Sequence, residues 1–280
     1  MEKALQTYID RYGLGDHYTA FMGYARTFYT GKPDHDVHLA LKVEHSRNVF
    51  CHACAIAEAE AVFVASPDMA RSLALAGLYH DFGRFMQYVR YRTFDDKRSV
   101  NHAKLAVHEV KRHGMLKNET RRVRNLTLAA VLLHNRFETP PRLDRNALTV
   151  TNGVRDADKL DIMRIMAAHL TAPGPVDPVV VLGTKESPEV SAPIVHALME
   201  RRLGSYSDMR TTTDFKLLVC AWFYDLNYAF SRNRAITAGH LRTLFDSLPE
   251  TEELAPFKAQ YARDLAAHDP AVYDSALHGR

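Results

Sequence analysis

Apolar side chains recur at helical spacing along most of this chain, and the strict alternation expected of a half-buried strand is almost absent. From about residue 37 to 65 the pattern predicts one long helix, with Leu41, His45, Phe50 and Ala53 facing inward. The Ser66-Pro67-Asp68 stretch stops it and opens the next helix, with Ser66 as N-cap and Pro67 in the first turn. That second helix carries Leu73, Leu75, Ala76 and Leu78 up to His80 and then meets Gly83. Residues 87–100 read as a polar, aromatic connection, long enough to serve a function. Helices are then expected over 101–113, ending at Gly114, over 118–136, stopped by Thr139-Pro140-Pro141, and over 145–170. Residues 171–190 are rich in Pro and Gly and read as irregular, with room for short extended pieces. Further helices follow, including the apolar run 215–230. The expectation is an all-α protein in three parts: an N-terminal helical extension (1–36), a main helical domain (37–170) and a C-terminal helical region (171–280) packed on it.

Composition changes this picture little. The chain has 280 residues, 46% hydrophobic and 25% charged, as an ordinary globular protein does. A chain of this size buries enough surface to need no disulfide staples. Its cysteines, Cys51, Cys54 and Cys220, are few and odd in number, which suggests a reducing, cytoplasmic setting. The first residues are charged and broken by glycines, unlike a signal sequence, and no apolar run reaches the roughly 18 residues of a membrane span. The net charge of +3 is small, and the basic run 121–125 reads as a solvated helix face, so nucleic acid is not indicated as a partner. The Cys51/Cys54 pair resembles a metal signature but lacks a second pair; in an Ala-rich helix the two read as small packing residues.

Histidine is different, with 15 residues in all. His45, the adjacent His80 and Asp81, His102, His134 and Asp158 each lie in or at the end of an apolar-faced helix. A helical bundle can gather such side chains in its interior. Helix neighbours diverge by about 100°, so His80 and Asp81 can flank one ion from a single backbone. Taken one at a time, each of the six reads more naturally as a core or surface residue than as a ligand. The pair resists that view, because an unpaired buried carboxylate is costly. Nitrogen from His and charge from Asp suit Mn, Fe, Co, Ni or Zn better than Ca.

The stretches beginning at His45 (HSRNV), His80 (HDFGR) and Arg155 (RDADKLD) resemble the ordered motifs of the HD superfamily of metal-dependent phosphohydrolases. The resemblance covers roughly residues 37 to 170, and residues 92–110 and 132–137 resemble a bacterial HD subgroup of undefined substrate. It implies an HD metal-binding domain in which His45, His80, Asp81 and Asp158 ligate one divalent ion. Asp158 rather than Asp156 is chosen because the family's ligand follows the alanine. His102 and His134 match the additional ligands of two-metal members, with Asp81 as the bridge. Where the cyclic-dinucleotide phosphodiesterases have a His-His pair, this chain has His134-Asn135, and their glycine-tyrosine-proline motif is missing. Both departures argue against three-metal chemistry and cyclic-di-GMP hydrolysis.

The activity this implies is hydrolysis of a nucleotide or another small phosphorylated metabolite by a metal-activated water, with Arg84, Lys159 and Arg136 as candidates to offset phosphoryl charge. Salt bridges of Lys159 and Arg136 to Asp156 or Asp161 are the competing structural role. Two alternatives stand beside it: a mixed-valent di-iron oxygenase using the same six ligands, and a non-catalytic nucleotide-binding regulatory module.

Overall fold

The structure, a computed structural model, describes residues 2–268. These residues form helices and two 3-10 turns; among them the only β pairing is an isolated parallel bridge between Lys185 and Thr211. The chain divides into two compact units, one ending at Asp161 and one beginning at Ile162.

The first unit opens with α1 (Glu2–Tyr12) and α2 (Gly15–Arg26), then the long α3 (Pro33–Ala59) and the single turn α4 (Ala61–Val64). Next come α5 (Pro67–Tyr79), α6 (Phe82–Tyr91), α7 (His102–Arg112), α8 (Arg121–Leu133) and α9 (Arg145–Thr171), the last running across the boundary. Local chemistry sets several of these starts. Pro33 and Pro67 occupy first-turn positions of α3 and α5, where their missing N–H costs nothing. Asn101 and Thr120 cap α7 and α8 by accepting from the N–H of Lys104 and Val123. Asp144 accepts from the N–H of Asn146 and Ala147 at the head of α9.

One expectation needs correction. The connection expected over 87–100 begins inside a helix, because α6 continues to Tyr91 and only residues 92–101 link it to α7. Phe82, Phe85 and Tyr88 recur at helical spacing and are buried, which makes this stretch an amphipathic helix. Its aromatic face meets α2, where Tyr24 stacks on Phe82 at 3.9 Å between ring centroids. Residues of α1 and α2 are thereby part of the first compact unit. The long helix expected from 37 to 65 starts earlier, at Pro33, and breaks at Glu60, whose backbone is extended at φ −98° and ψ 121°.

Two glycines bring the central helices close. A Cβ on Gly77 would lie 2.7 Å from Ala53 Cβ, so α5 can press on α3. A Cβ on Gly83 would lie 2.5 Å from the carbonyl of His102 and 2.6 Å from Ala106 N, so α6 can press on the first turn of α7. The two stand three and two residues outside the His80-Asp81 pair.

The second unit, considered by itself, contains α10 (Ala192–Met199), α11 (Thr212–Ala221), α12 (Ala229–Thr237), α13 (His240–Asp246) and α14 (Ala255–Ala267). Asp214 in the first turn of α11 is buried and accepts from Ser191, Arg210 and Thr211, which joins the irregular segment to the helix. Phe257 and Tyr261 of α14 are buried in this unit, and the Tyr261 hydroxyl donates to the Cys220 carbonyl at 2.9 Å. No helix among the described residues is long and apolar enough to cross a membrane.

Candidate metal centre

The break between α5 and α6 gathers the polar chemistry. His80 caps α5 with helical backbone angles, while Asp81 departs at φ −99° and ψ 15° before α6 starts again at Phe82. Both are buried. His45 of α3 brings its Nε2 to 3.2 Å from His80 Nε2 and 3.1 Å from Asp158 Oδ1 of α9. Asp81 Oδ2 lies 3.5 Å from His45 Nε2 and 3.7 Å from His80 Nε2. Its other oxygen, Oδ1, faces His102 Nε2 at 3.4 Å, and His102 Nε2 stands 3.0 Å from His134 Nε2. All six residues singled out in the sequence converge. Within the cluster, His45, His80 and Asp158 bring ligand atoms within 4.8 Å of one another, and so do His80, Asp81 and His134.

Each imidazole is aimed by the nitrogen it turns away. His80 Nδ1 donates to the Gly77 carbonyl at 2.9 Å and His134 Nδ1 to the Val131 carbonyl at 2.8 Å, since a carbonyl can only accept. His102 Nδ1 lies 2.7 Å from Asp96 Oδ2, and His45 Nδ1 lies 2.8 Å from Asp161 Oδ2. Asn48 donates to the other oxygen of Asp161 at 2.9 Å, fixing that carboxylate in turn. In a neutral ring such partners select the tautomer whose Nε2 lone pair points inward.

Charge follows from this packing. Burial, then the charge of Arg84, pushes His102 down to about 4. Burial, then His80, does the same to His134, also down to about 4. At neutral pH these two rings are uncharged, their protons sit on Nδ1, and two bare lone pairs face each other across 3.0 Å. A cation relieves that arrangement. His45 differs: burial and Lys42 pull it down, but hydrogen bonds to Asp158 and Asp161 outweigh them and raise it to about 9. Burial opposes the ionisation of Asp81, yet Lys42, His80 and Arg84 hold its carboxyl well below the usual range. Two ionised carboxylates and four inward nitrogens suit a divalent transition ion, by donor type and by charge.

Two protein cations attend Asp81. Lys42 Nζ donates to Oδ2 at 2.8 Å, and Arg84 Nε to Oδ1 at 3.3 Å. Arg84 also donates through Nη1 to Gln87 Oε1, the Phe94 carbonyl and Asp96 Oδ1. Gln87 Nε2 adds contacts of 2.9 Å to Asp96, Ser99 and the Val100 carbonyl. The α6–α7 connection is therefore tied down at Asp96, the residue that orients His102. Lys159 is buried on α9 beside Asp158, whereas Arg136 is exposed after the end of α8, with Arg155 donating to its carbonyl.

Sequence reasoning missed Lys42, Asp96 and Asp161. Lys42 and Asp161 stood at legible positions, three before His45 and three after Asp158, one helical turn from a ligand and on its face. Asp96 offered no such signal, because it reaches His102 from a loop.

A family model described as HD domain matches residues 43–163, consistent with the HD superfamily of metal-dependent phosphohydrolases. That span contains all six converging residues. No curated protein and no solved structure matches the chain.

Proposed function

We propose that the HD domain at residues 43–163 is the catalytic centre of a phosphohydrolase acting on a nucleotide or another small phosphorylated metabolite. HD domains bind divalent metals, and this cluster has the donors to hold one. His45, His80, Asp81 and Asp158 would hold one ion, and His102 and His134 a second that shares Asp81. The supporting observation is the division of Asp81: Oδ2 faces His45 and His80 while Oδ1 faces His102. A carboxylate turned both ways serves as a bridge, and no imidazole here has a second free nitrogen for that role.

Bound Mn, Fe, Co, Ni or Zn would supply Lewis acidity, lowering the pKa of water and offsetting charge on a phosphoryl oxygen. The protein's part is orientation and charge. Asp96, Asp161 and the carbonyls of Gly77 and Val131 keep the four imidazoles aimed. Arg84 holds Asp81 and Asp96 in one frame, and its guanidinium also sits where it offsets negative charge arriving at the cluster. Lys159 and Arg136 are further candidates to meet substrate phosphoryl groups.

The test is metal analysis of protein purified without oxygen, followed by phosphatase and phosphodiesterase assays with Mn²⁺ or Fe²⁺. Asp81→Ala should abolish binding of both ions and all turnover, whereas His102→Ala should lose one ion and keep the other. If wild type never exceeds one ion per chain at saturation, the two-ion reading fails. The same divided carboxylate serves a di-iron oxygenase, which would consume O₂ and leave phosphate esters intact. Full metal loading without either activity would favour a regulatory module.

A further inference from the structure

The two cations on Asp81 are not equivalent. Arg84 is held by Gln87, the Phe94 carbonyl and Asp96 besides Asp81, so its guanidinium has little freedom to leave. Lys42 touches Asp81 Oδ2 at 2.8 Å, and its other contact is the face of Phe94, with Nζ 5.0 Å from the ring centroid. That contact is a non-directional cation–π interaction, which a flexible four-carbon stem can keep while the ammonium turns. Oδ2 is also the oxygen that His45 and His80 approach. An ammonium and a divalent ion sharing one carboxylate oxygen repel each other, and the one on the flexible stem moves.

The destination follows from exposure. The side chain of Lys42 is 13% exposed and that of Asp158 18%, against 1% for His45 and none for His80, so the cluster lies nearer to solvent at Lys42 and Asp158 than at those two histidines. Resting on Phe94, the ammonium would remain beside the metal cluster but off its ligands, within reach of an oxyanion that approaches the ions from that side.

We propose that Lys42 is a catalytic residue that metal loading releases from Asp81 and that then donates a hydrogen bond to a phosphoryl oxygen of the substrate. The assignment rests on the phosphohydrolase reading for its substrate class and on the distances above for the residue. Lys42 transfers no proton in this role; it neutralises oxyanion charge, strongest where that charge grows in the transition state.

The experiment uses the full chain and the variants Lys42→Met and Lys42→Arg, with Mn²⁺ titrated calorimetrically and inorganic phosphate and p-nitrophenyl phosphate as probes. Lys42→Met should keep the wild-type metal stoichiometry and bind Mn²⁺ about as tightly or severalfold more tightly, because no ammonium competes for Oδ2. In the Mn²⁺-loaded protein, the same variant should bind phosphate at least tenfold more weakly and lose kcat on the ester. Lys42→Arg should recover part of both. Wild-type phosphate affinity and turnover in Lys42→Met would overturn the proposal and leave the hydrolase reading intact. Loss of Mn²⁺ from Lys42→Met would also overturn it, making Lys42 a structural support of Asp81. A Mn²⁺-loaded wild type that neither binds phosphate nor cleaves the ester overturns the hydrolase reading, and the phosphoryl role of Lys42 falls with it.

Discussion

His45 is the one imidazole of the cluster raised to about 9 rather than lowered, because two carboxylates outweigh burial and Lys42. Its Nε2 therefore carries a proton at pH 7 that an ion must displace, while His102 and His134, down to about 4, have none to give. The sign is fixed: a bound proton competes with metal, so affinity at this site rises with pH until His45 is deprotonated near 9. Mn²⁺ loading at pH 7 should release about one proton per chain, with apparent affinity rising up to about tenfold per pH unit. Calorimetry in buffers of different ionisation enthalpy measures the count, and a value of zero would remove His45 from the ligand set. Asp161→Ala should weaken metal binding by roughly 10–100-fold, since it removes the acceptor that aims His45. The sequence made the ligands legible because each sits on, or at the end of, a helix with an apolar face. The residues that orient them were harder to see. Asp161 and Lys42 look like ordinary helix-surface charges until the fold buries the face they share with Asp158 and His45.

At the scale of elements, the decisive feature is the close approach permitted by Gly83. The methyl group of Gly83→Ala would collide with backbone atoms of His102 and Ala106, which cannot swing aside as a side chain can. Relief requires α7 to move, and His102 is its first residue. The variant should lose about 1–3 kcal/mol of stability by overpacking. It should also lose affinity for the ion at His102 and His134 more than for the one at His45. A thermal melt and a metal titration together check this, and an unchanged titration would mean that α6 rather than α7 gives way. A helix start was legible where punctuation and periodicity agreed, as at Pro67. α6 was not, because Arg84, Gln87 and Arg90 interrupt its aromatic stripe and make it look like a loop. Two of those polar residues, Arg84 and Gln87, turn out to fasten the following connection at Asp96.

Across the first unit, the cluster draws on α3, the α5–α6 break, α7, the end of α8, and α9. An ion there binds the folded arrangement and not the unfolded chain. At a free concentration 100 times its Kd it should add about 2.7 kcal/mol. Stripping the metal with a chelator should then lower Tm by roughly 5–10 °C for a domain of this size; no shift would mean that the ligands are not jointly engaged. The boundary between the two units raises a question of modularity. It falls at Asp161, one turn after Asp158, while α9 continues to Thr171 without a break. In a helix the carbonyl of each residue is held by the N–H four positions on, so the turn bearing Asp158 and Asp161 needs the chain beyond 161 to stay wound. A fragment cut at the compact unit's edge would therefore leave a ligand and its orienting carboxylate on a frayed end. The compact unit and the metal centre end at different points along α9, and an excised version would have to keep α9 whole.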